Sequence, residues 1–283
     1  MVAEADSGTR RIAILGAGNI GQALAQGWAA AGYRNPESIT LTRRQLHHLE
    51  SLAERGFRIT TDNVAAVRAA DVVVVAVQPQ QLSGVLEQIR EALDPDRHLV
   101  VSVVSGASIA EIRAVLGAAV QVVRAMPNTG IAIRESMTCL AADPASQAGL
   151  AAALPLFEAV GRTLVIREDL MVSATALCAC GIAFFLRAIR AASQGGIEIG
   201  FHPEEAFLLA SQTAKGAASL LLNGSAHPEA EIDRVTTPRG CTIAGLNEME
   251  HRGFSSAFIK AILASAEKAD RLYVANPNLT ARG

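Results

Sequence analysis

The chain has 283 residues, half of them hydrophobic, with 18% charged, 4% aromatic and a formal net charge of −2. That length suits one large domain or two ordinary ones, and the near-neutral charge offers no polyanion-binding surface, so nucleic acid is not an expected partner. Four cysteines, Cys139, Cys178, Cys180 and Cys241, are too few and too scattered for a disulfide framework. Cys178-Ala179-Cys180 has no nearby histidine and lacks zinc-site spacing, so buried reduced thiols are expected and a metal is not.

The opening residues, MVAEADSGTRR, contain no apolar core and do not read as a signal peptide, which makes a cytoplasmic location the expectation. Short β-branched runs then alternate with amphipathic ones. Strands are predicted at residues 11–15, 38–42, 57–60, 71–77, 98–103, 121–126, 136–141 and 162–166, and helices at 20–31, 43–55, 80–92 and 145–160, among others. The run VVVVAV is apolar on both faces, as a parallel strand covered by helices on each side must be. The fold class is therefore α/β, a doubly wound sheet. After residue 167 the β signal stops, and 169–196, 203–222 and 254–274 show helical periodicity. The expected domains are 1–167, binding a dinucleotide, and 168–283, an all-α substrate and dimerisation domain joined by a long helix starting near Asp169. Sixteen residues from Met171 to Leu186 are apolar or small. The run is short for a membrane span and holds Ser173, Thr175 and Gly181, so a buried helix is expected and a membrane is not.

Directly after the first predicted strand stands Gly16-Ala17-Gly18-Asn19-Ile20-Gly21, then a helix. In that position Gly16 permits a tight turn, Gly18 lets a pyrophosphate reach the backbone, and Gly21 lets the helix press on the sheet. The second strand ends in Thr42-Arg43-Arg44 instead of the acidic residue that grips a ribose diol. Two guanidinium groups and a hydroxyl suit a 2′-phosphate, and Arg at a helix start is unfavourable unless an anion offsets it. NADPH is the expected cofactor, with NADH possible as a second donor. Asn63 is a candidate ribose contact. Val77-Gln78-Pro79 ends the fourth strand at the carboxyl edge, where such folds bind ligands.

In the helical half, residues 235–246 read VTTPRGCTIAGL. Thr, Pro and Gly are poor helix formers, so this stretch either turns the chain or binds something. Together with Arg124-Ala125-Met126-Pro127-Asn128-Thr129, Gly200-Phe201, Glu204-Glu205-Ala206, Gln212-Thr213, Gly216-Ala217, His227-Pro228, Glu248-Met249-Glu250 and Gly253-Phe254, it resembles the motif series of the pyrroline-5-carboxylate reductase family. The likeness runs from about residue 10 to 275. It implies NAD(P)H-linked reduction of 1-pyrroline-5-carboxylate to L-proline, and dimers that interleave their helical domains, sometimes in rings of five. It assigns Thr237, Gly240, Cys241 and Thr242 to the substrate. Backbone N–H groups of the loop would receive the carboxylate, and Thr242 would hydrogen-bond the imine nitrogen as the catalytic group.

The chain departs from the family pattern at Gln78, Gly130, Cys178–Ala183 and Arg239, where the family usually has Lys, Pro, Gly-Ser-Gly-Pro-Ala and Gly. Two alternatives stand beside this reading. A related NADP-dependent imine or hydroxyacid reductase is one. Hydroxyacid dehydrogenases polarise a carbonyl with a lysine on the first helix of the second domain, and this chain has only Lys215, Lys260 and Lys268. The other is a non-catalytic NADP-binding regulator, which would keep the nucleotide motif and lose the threonine loop.

Overall fold

The computed structural model describes residues 10–273, so the expectations about the N-terminal segment and the last residue of the 254–274 helix fall outside it. Strands β1 (Ile12–Leu15), β2 (Ile39–Thr42), β3 (Arg58–Thr60), β4 (Val72–Val75), β5 (Leu99–Ser102), β6 (Gln121–Met126), β7 (Ser136–Ala142) and β8 (Gly161–Val165) form one sheet, ordered β3-β2-β1-β4-β5-β6-β7-β8. All neighbours pair in parallel except β6 and β7, which run antiparallel. The order reverses direction at β1 and β4, the position where doubly wound folds open a ligand crevice.

Alternate residues of each strand feed two cores, as period-2 geometry requires. Ile12, Ile14, Val72, Val74, Leu99 and Val101 face α1 (Asn19–Ala30), α2 (Glu50–Glu54) and α6 (Gln147–Glu158), around Leu24, Trp28 and Phe157. Ala13, Leu15, Val73, Val75 and Val100 face α3 (Asn63–Arg68), α4 (Pro79–Ile89) and α5 (Ile109–Leu116), around Leu82, Leu86 and Ile112. Burying side chains of this size on both faces stabilises the sheet by roughly 1.5–3 kcal/mol each. Trp28 keeps its polar group satisfied by donating Nε1–H to Leu156 O at 2.6 Å.

The predicted 43–55 helix is corrected. Arg43–Gln45 are non-helical, a 3₁₀ turn covers Leu46–Leu49, and only Glu50–Glu54 is α-helical. Arg43 N continues the strand pairing by donating to Thr60 O at 3.2 Å, which holds the chain extended past β2. Neither Arg43 nor Arg44 therefore stands at a helix start, and the helix dipole does not bear on them. Asn63 is the first residue of α3, capped by Asp62 through Ala65 N.

The chain divides into two compact units. The first runs to Ala179 and takes back the chain from Ser265; the second is Cys180–Ala264. One helix among the described residues, Glu168–Glu198, is long and apolar enough to cross a membrane by length and composition. It comprises a 3₁₀ turn, α7 (Met171–Ala174), a π-helical stretch Thr175–Cys180 and α8 (Gly181–Glu198). Met171 and Ala174 are buried with Met126, Cys139 and Ala141 of the sheet. The expected burial fails farther along, where Leu177, Phe185 and Leu186 are 55%, 57% and 58% exposed.

The second unit contains α8, α9 (Pro203–Asn223), α10 (Pro228–Val235), α11 (Cys241–His251) and most of α12 (Phe254–Asp270). Phe258 gathers Phe184, Phe185 and Phe254 at centroid distances of 6.1, 5.3 and 5.9 Å. Yet α8 buries only Gly181 and Ser193, α9 only Ala206, and α10 and α11 bury no residue. Phe207, Leu208, Ile259 and Leu263 are all more than half exposed.

Candidate functional site

The three glycines after β1 meet three different constraints. Gly16 has φ +90, and a Cβ there would lie 2.6 Å from Val77 Cγ1 and 2.8 Å from Ala76 O. A Cβ at Gly21 would lie 2.9 Å from Gly16 O and 3.0 Å from Ile14 Cγ2, so α1 could not approach β1 as closely with any larger residue. Nothing stands within 4 Å of the Cβ position at Gly18. That open space faces the start of α1, which has Gly18 as N-cap, no side-chain cap and no acidic residue in its first turn. Uncapped backbone N–H groups at a helix start attract an anion.

A cavity of about 930 Å³ opens here. Gly16, Gly18, Thr42, Arg43, Arg44, Asn63, Val77 and Gln78 line it, while Asn19, Ile20, Gly21 and Pro79 do not. Asn19, Ile20 and Gly21 open α1, and Pro79 opens α4 behind its N-cap Gln78. Thr42, nearly fully buried, joins the two sides by accepting from Gly16 N at 3.4 Å and donating to Asn63 Oδ1 at 2.5 Å. Asn63 Nδ2 donates to Gln88 Oε1 at 2.8 Å. Arg43 Nη1 donates to Ala17 O at 3.1 Å, which draws its guanidinium over the glycine turn.

Sequence reasoning missed part of this wall. Gln81, Gly84, Val85 and Gln88 form a stripe along α4 that faces the cavity, opposite the buried Leu82, Leu86 and Ile89. The signal was present, since these positions are spaced i, i+3, i+4, i+7.

The second predicted site lies wholly within the helical unit. Thr236 Oγ1 donates to Ile232 O at 2.7 Å and ends α10. Gly240 N then donates to Thr237 O at 2.9 Å across Pro238 and Arg239, and Arg239 has φ 60. Pro at the second position and positive φ at the third is the arrangement of a type II turn, whose third residue is usually Gly. Gly240 follows as the N-cap of α11, with no side-chain cap and no acidic residue in the first turn. A Cβ at Gly240 would lie 2.5 Å from Thr237 Oγ1. Turn and helix start thus leave the N–H groups of Cys241 and Thr242 without a capping side chain; Cys241 is exposed and Thr242 half-buried.

Two departures from the family pattern have local counterparts. Gly130 N donates to Asn128 Oδ1 at 2.9 Å, a bond proline could not make, and a Cβ at Gly130 would lie 2.7 Å from Glu135 O. Cys178–Ala183 coincides with the π-helical stretch and the start of α8, where Asn128 Nδ2 donates to Cys178 O at 3.2 Å. The burial expected of Cys178 and Cys180 is corrected, since both are half-buried; Cys139 is buried and Cys241 exposed.

Comparison with known proteins bears on both units. The family described as NADP oxidoreductase, coenzyme F420-dependent, matches residues 11–106, and that described as pyrroline-5-carboxylate reductase dimerisation matches residues 168–272. Pyrroline-5-carboxylate reductase 1 of Dictyostelium discoideum is 51% identical over 93% of this chain, which spans 50% of that longer relative. Pyrroline-5-carboxylate reductase 2 of the same organism is 47% identical, covering 96% of each chain. This chain belongs to the pyrroline-5-carboxylate reductase family. A Plasmodium falciparum pyrroline carboxylate reductase, solved with NADP bound, shares the fold with a TM-score of 0.86 at 24% identity, covering 94% of this chain and 99% of that one. The helical half accordingly carries the family's dimerisation domain.

Proposed function

We propose that this chain reduces 1-pyrroline-5-carboxylate to L-proline with NADPH, and with NADH as the weaker donor. Family membership supports the reaction. The observation that carries it to particular residues is the uncapped start of α11, presented by the turn at Pro238 and Arg239. When bound, the cofactor supplies a hydride to the imine carbon. The cavity fits such a group, with open space over Gly18 and unopposed N–H donors at Asn19 and Ile20 for a pyrophosphate. Arg43 and Arg44 take the 2′-phosphate, Thr42 and Asn63 the adenosine ribose, and Val77, Gln78 and Pro79 border the mouth.

In the substrate loop, Thr237 and Gly240 shape the turn, and the N–H groups of Cys241 and Thr242 receive the carboxylate. The Thr242 hydroxyl hydrogen-bonds the imine nitrogen. A protonated imine is already a good electrophile, so positioning supplies much of the rate and no strongly tuned acid is required. The absence of lysine between residues 168 and 198 supports imine over carbonyl reduction.

The proposal includes residues 1–167 as the dinucleotide domain and 168–283 as the substrate and dimerisation domain, a homodimer at least, and a cytoplasmic location. The exposed apolar faces of α8, α9 and α12 support the dimer, because pairing removes that area from water at about 25 cal/mol per Å². The decisive assay follows NADPH consumption by the purified full chain with 1-pyrroline-5-carboxylate and identifies proline chromatographically. Proline should form, faster with NADPH than with NADH. No proline with either cofactor would overturn the activity, and an active monomer in light scattering would overturn the assembly.

A further inference from the structure

Outside both sites, Cys139 of β7 and Cys178 of the π-helical stretch bring their sulfurs to 3.9 Å. They come from residues 39 apart in sequence and meet over a small cluster of Met126, Ala141, Met171 and Ala174. Cys139 is buried and Cys178 half-buried, so one thiol is reachable and the other is shielded behind it. We infer that Cys139 and Cys178 form an oxidisable dithiol site, in which a peroxide closes a disulfide between β7 and the π-helical turn.

The Cys178 thiolate attacks one oxygen of hydrogen peroxide, the O–O bond breaks, and Cys178 becomes a sulfenic acid as hydroxide leaves. The Cys139 sulfur then attacks the Cys178 sulfur; an S–S bond forms, the S–O bond breaks, and the Cys139 proton departs with the leaving oxygen as water. Two thiols and one peroxide yield one disulfide and two waters. The Cys139 S–H hydrogen bond favours the Cys178 thiolate and outweighs burial, moving Cys178 from the usual 9.0 down to about 7. The same bond, with burial adding to it, pushes the Cys139 thiol up, so the reachable sulfur attacks and the shielded one resolves.

Closing the bond requires the sulfurs to approach by about 2 Å, since a disulfide spans roughly 2.05 Å. The π-helical stretch can take up that movement, because it holds one residue more per turn than an α-helix and can relax toward one. Cys178 O also accepts from Asn128, so closure is expected to reach the loop that follows β6.

The test treats the reduced full chain, freed of reductant, with hydrogen peroxide and maps its peptides without reduction. The expected result is a peptide pair joined through Cys139 and Cys178, about 2 Da lighter than the sum of its thiol forms and released by dithiothreitol. In Cys139→Ala, the sulfenic acid should persist at Cys178 and be trapped by dimedone. The inference would be overturned by Cys139 and Cys178 remaining free thiols, or by Cys178 joining Cys180 or a second chain instead.

Discussion

Thr42 donates its hydroxyl to Asn63 Oδ1 at 2.5 Å, and this contact settles which way the Asn63 amide faces. With Oδ1 engaged, Nδ2 turns to Gln88, so β2, α3 and α4 are tied together at one side of the cavity. Thr42→Val keeps the side chain's shape and removes the donor. It should raise KM for NADPH about fivefold, the value of one neutral hydrogen bond near 1 kcal/mol, and leave kcat nearly unchanged. Steady-state kinetics in both cofactors check it. An unchanged KM would remove Thr42 and Asn63 from the cofactor site.

Cofactor preference is predicted to rest on Arg43 and Arg44, which line the same cavity. Charge-assisted bonds to a 2′-phosphate contribute about 1.5–3 kcal/mol, so replacing both residues with Ala should raise KM for NADPH by roughly ten- to a hundredfold. NADH has no 2′-phosphate, and its KM should change little. Equal effects on the two cofactors would contradict the assignment.

Much of this was legible in the sequence, for identifiable reasons. Runs such as Val72–Val75, apolar on both faces, can only be buried strands, and all eight predicted strands are present. Their order was not legible, because periodicity says which face is buried and nothing about which strand lies alongside. The stretch from Arg43 misled because its side chains suit a helix, whereas the Arg43 N bond to Thr60 O, made across the sheet, keeps it extended. The π-helical stretch leaves no compositional mark in an apolar run, so the meeting of Cys178 with Cys139 could not be anticipated. The break at residues 236–240 was legible because Thr, Pro and Gly interrupt otherwise helical sequence, and a turn and helix start are found there.

Cys178 should titrate early. Its pKa is lowered to about 7, first by the Cys139 hydrogen bond and against the opposing pull of burial. Deprotonation makes the nucleophile, so the rate of alkylation by iodoacetamide at Cys178 should rise with pH and reach half its plateau near 7. Cys139→Ala removes the donor and should move that midpoint upward. Peptide-resolved labelling across pH 5–10 measures both, and a midpoint near the ordinary thiol value in the unmodified chain would contradict the hydrogen bond.

Arg239 holds a conformation suited to glycine, with φ 60. A residue with a Cβ is disfavoured there by about 1–2 kcal/mol. Arg239→Gly should relieve part of that strain and raise stability by roughly 0.5–1 kcal/mol after the added flexibility of the unfolded chain is counted. The urea midpoint at fixed protein concentration should increase. Gly240→Ala should act oppositely, because its Cβ would collide with Thr237 Oγ1, 2.5 Å away.

Thr242 connects the loop's geometry to its chemistry. It is the second residue of α11, behind an N-cap glycine that brings no competing side chain, so its backbone N–H and its hydroxyl are both available at the helix start. Thr242→Val retains the backbone donor and the shape while deleting the hydroxyl. If that hydroxyl holds the imine nitrogen chiefly in the transition state, kcat should fall by roughly ten- to a hundredfold, the value of about 1.5–3 kcal/mol for a bond to a charged group. NADPH affinity, measured by fluorescence titration, should not move, because Thr242 belongs to the helical unit and every residue lining the glycine cavity belongs to the other. A variant with lost NADPH binding would indicate misfolding. One with full kcat and KM toward 1-pyrroline-5-carboxylate would reduce Thr242 to part of a helix start.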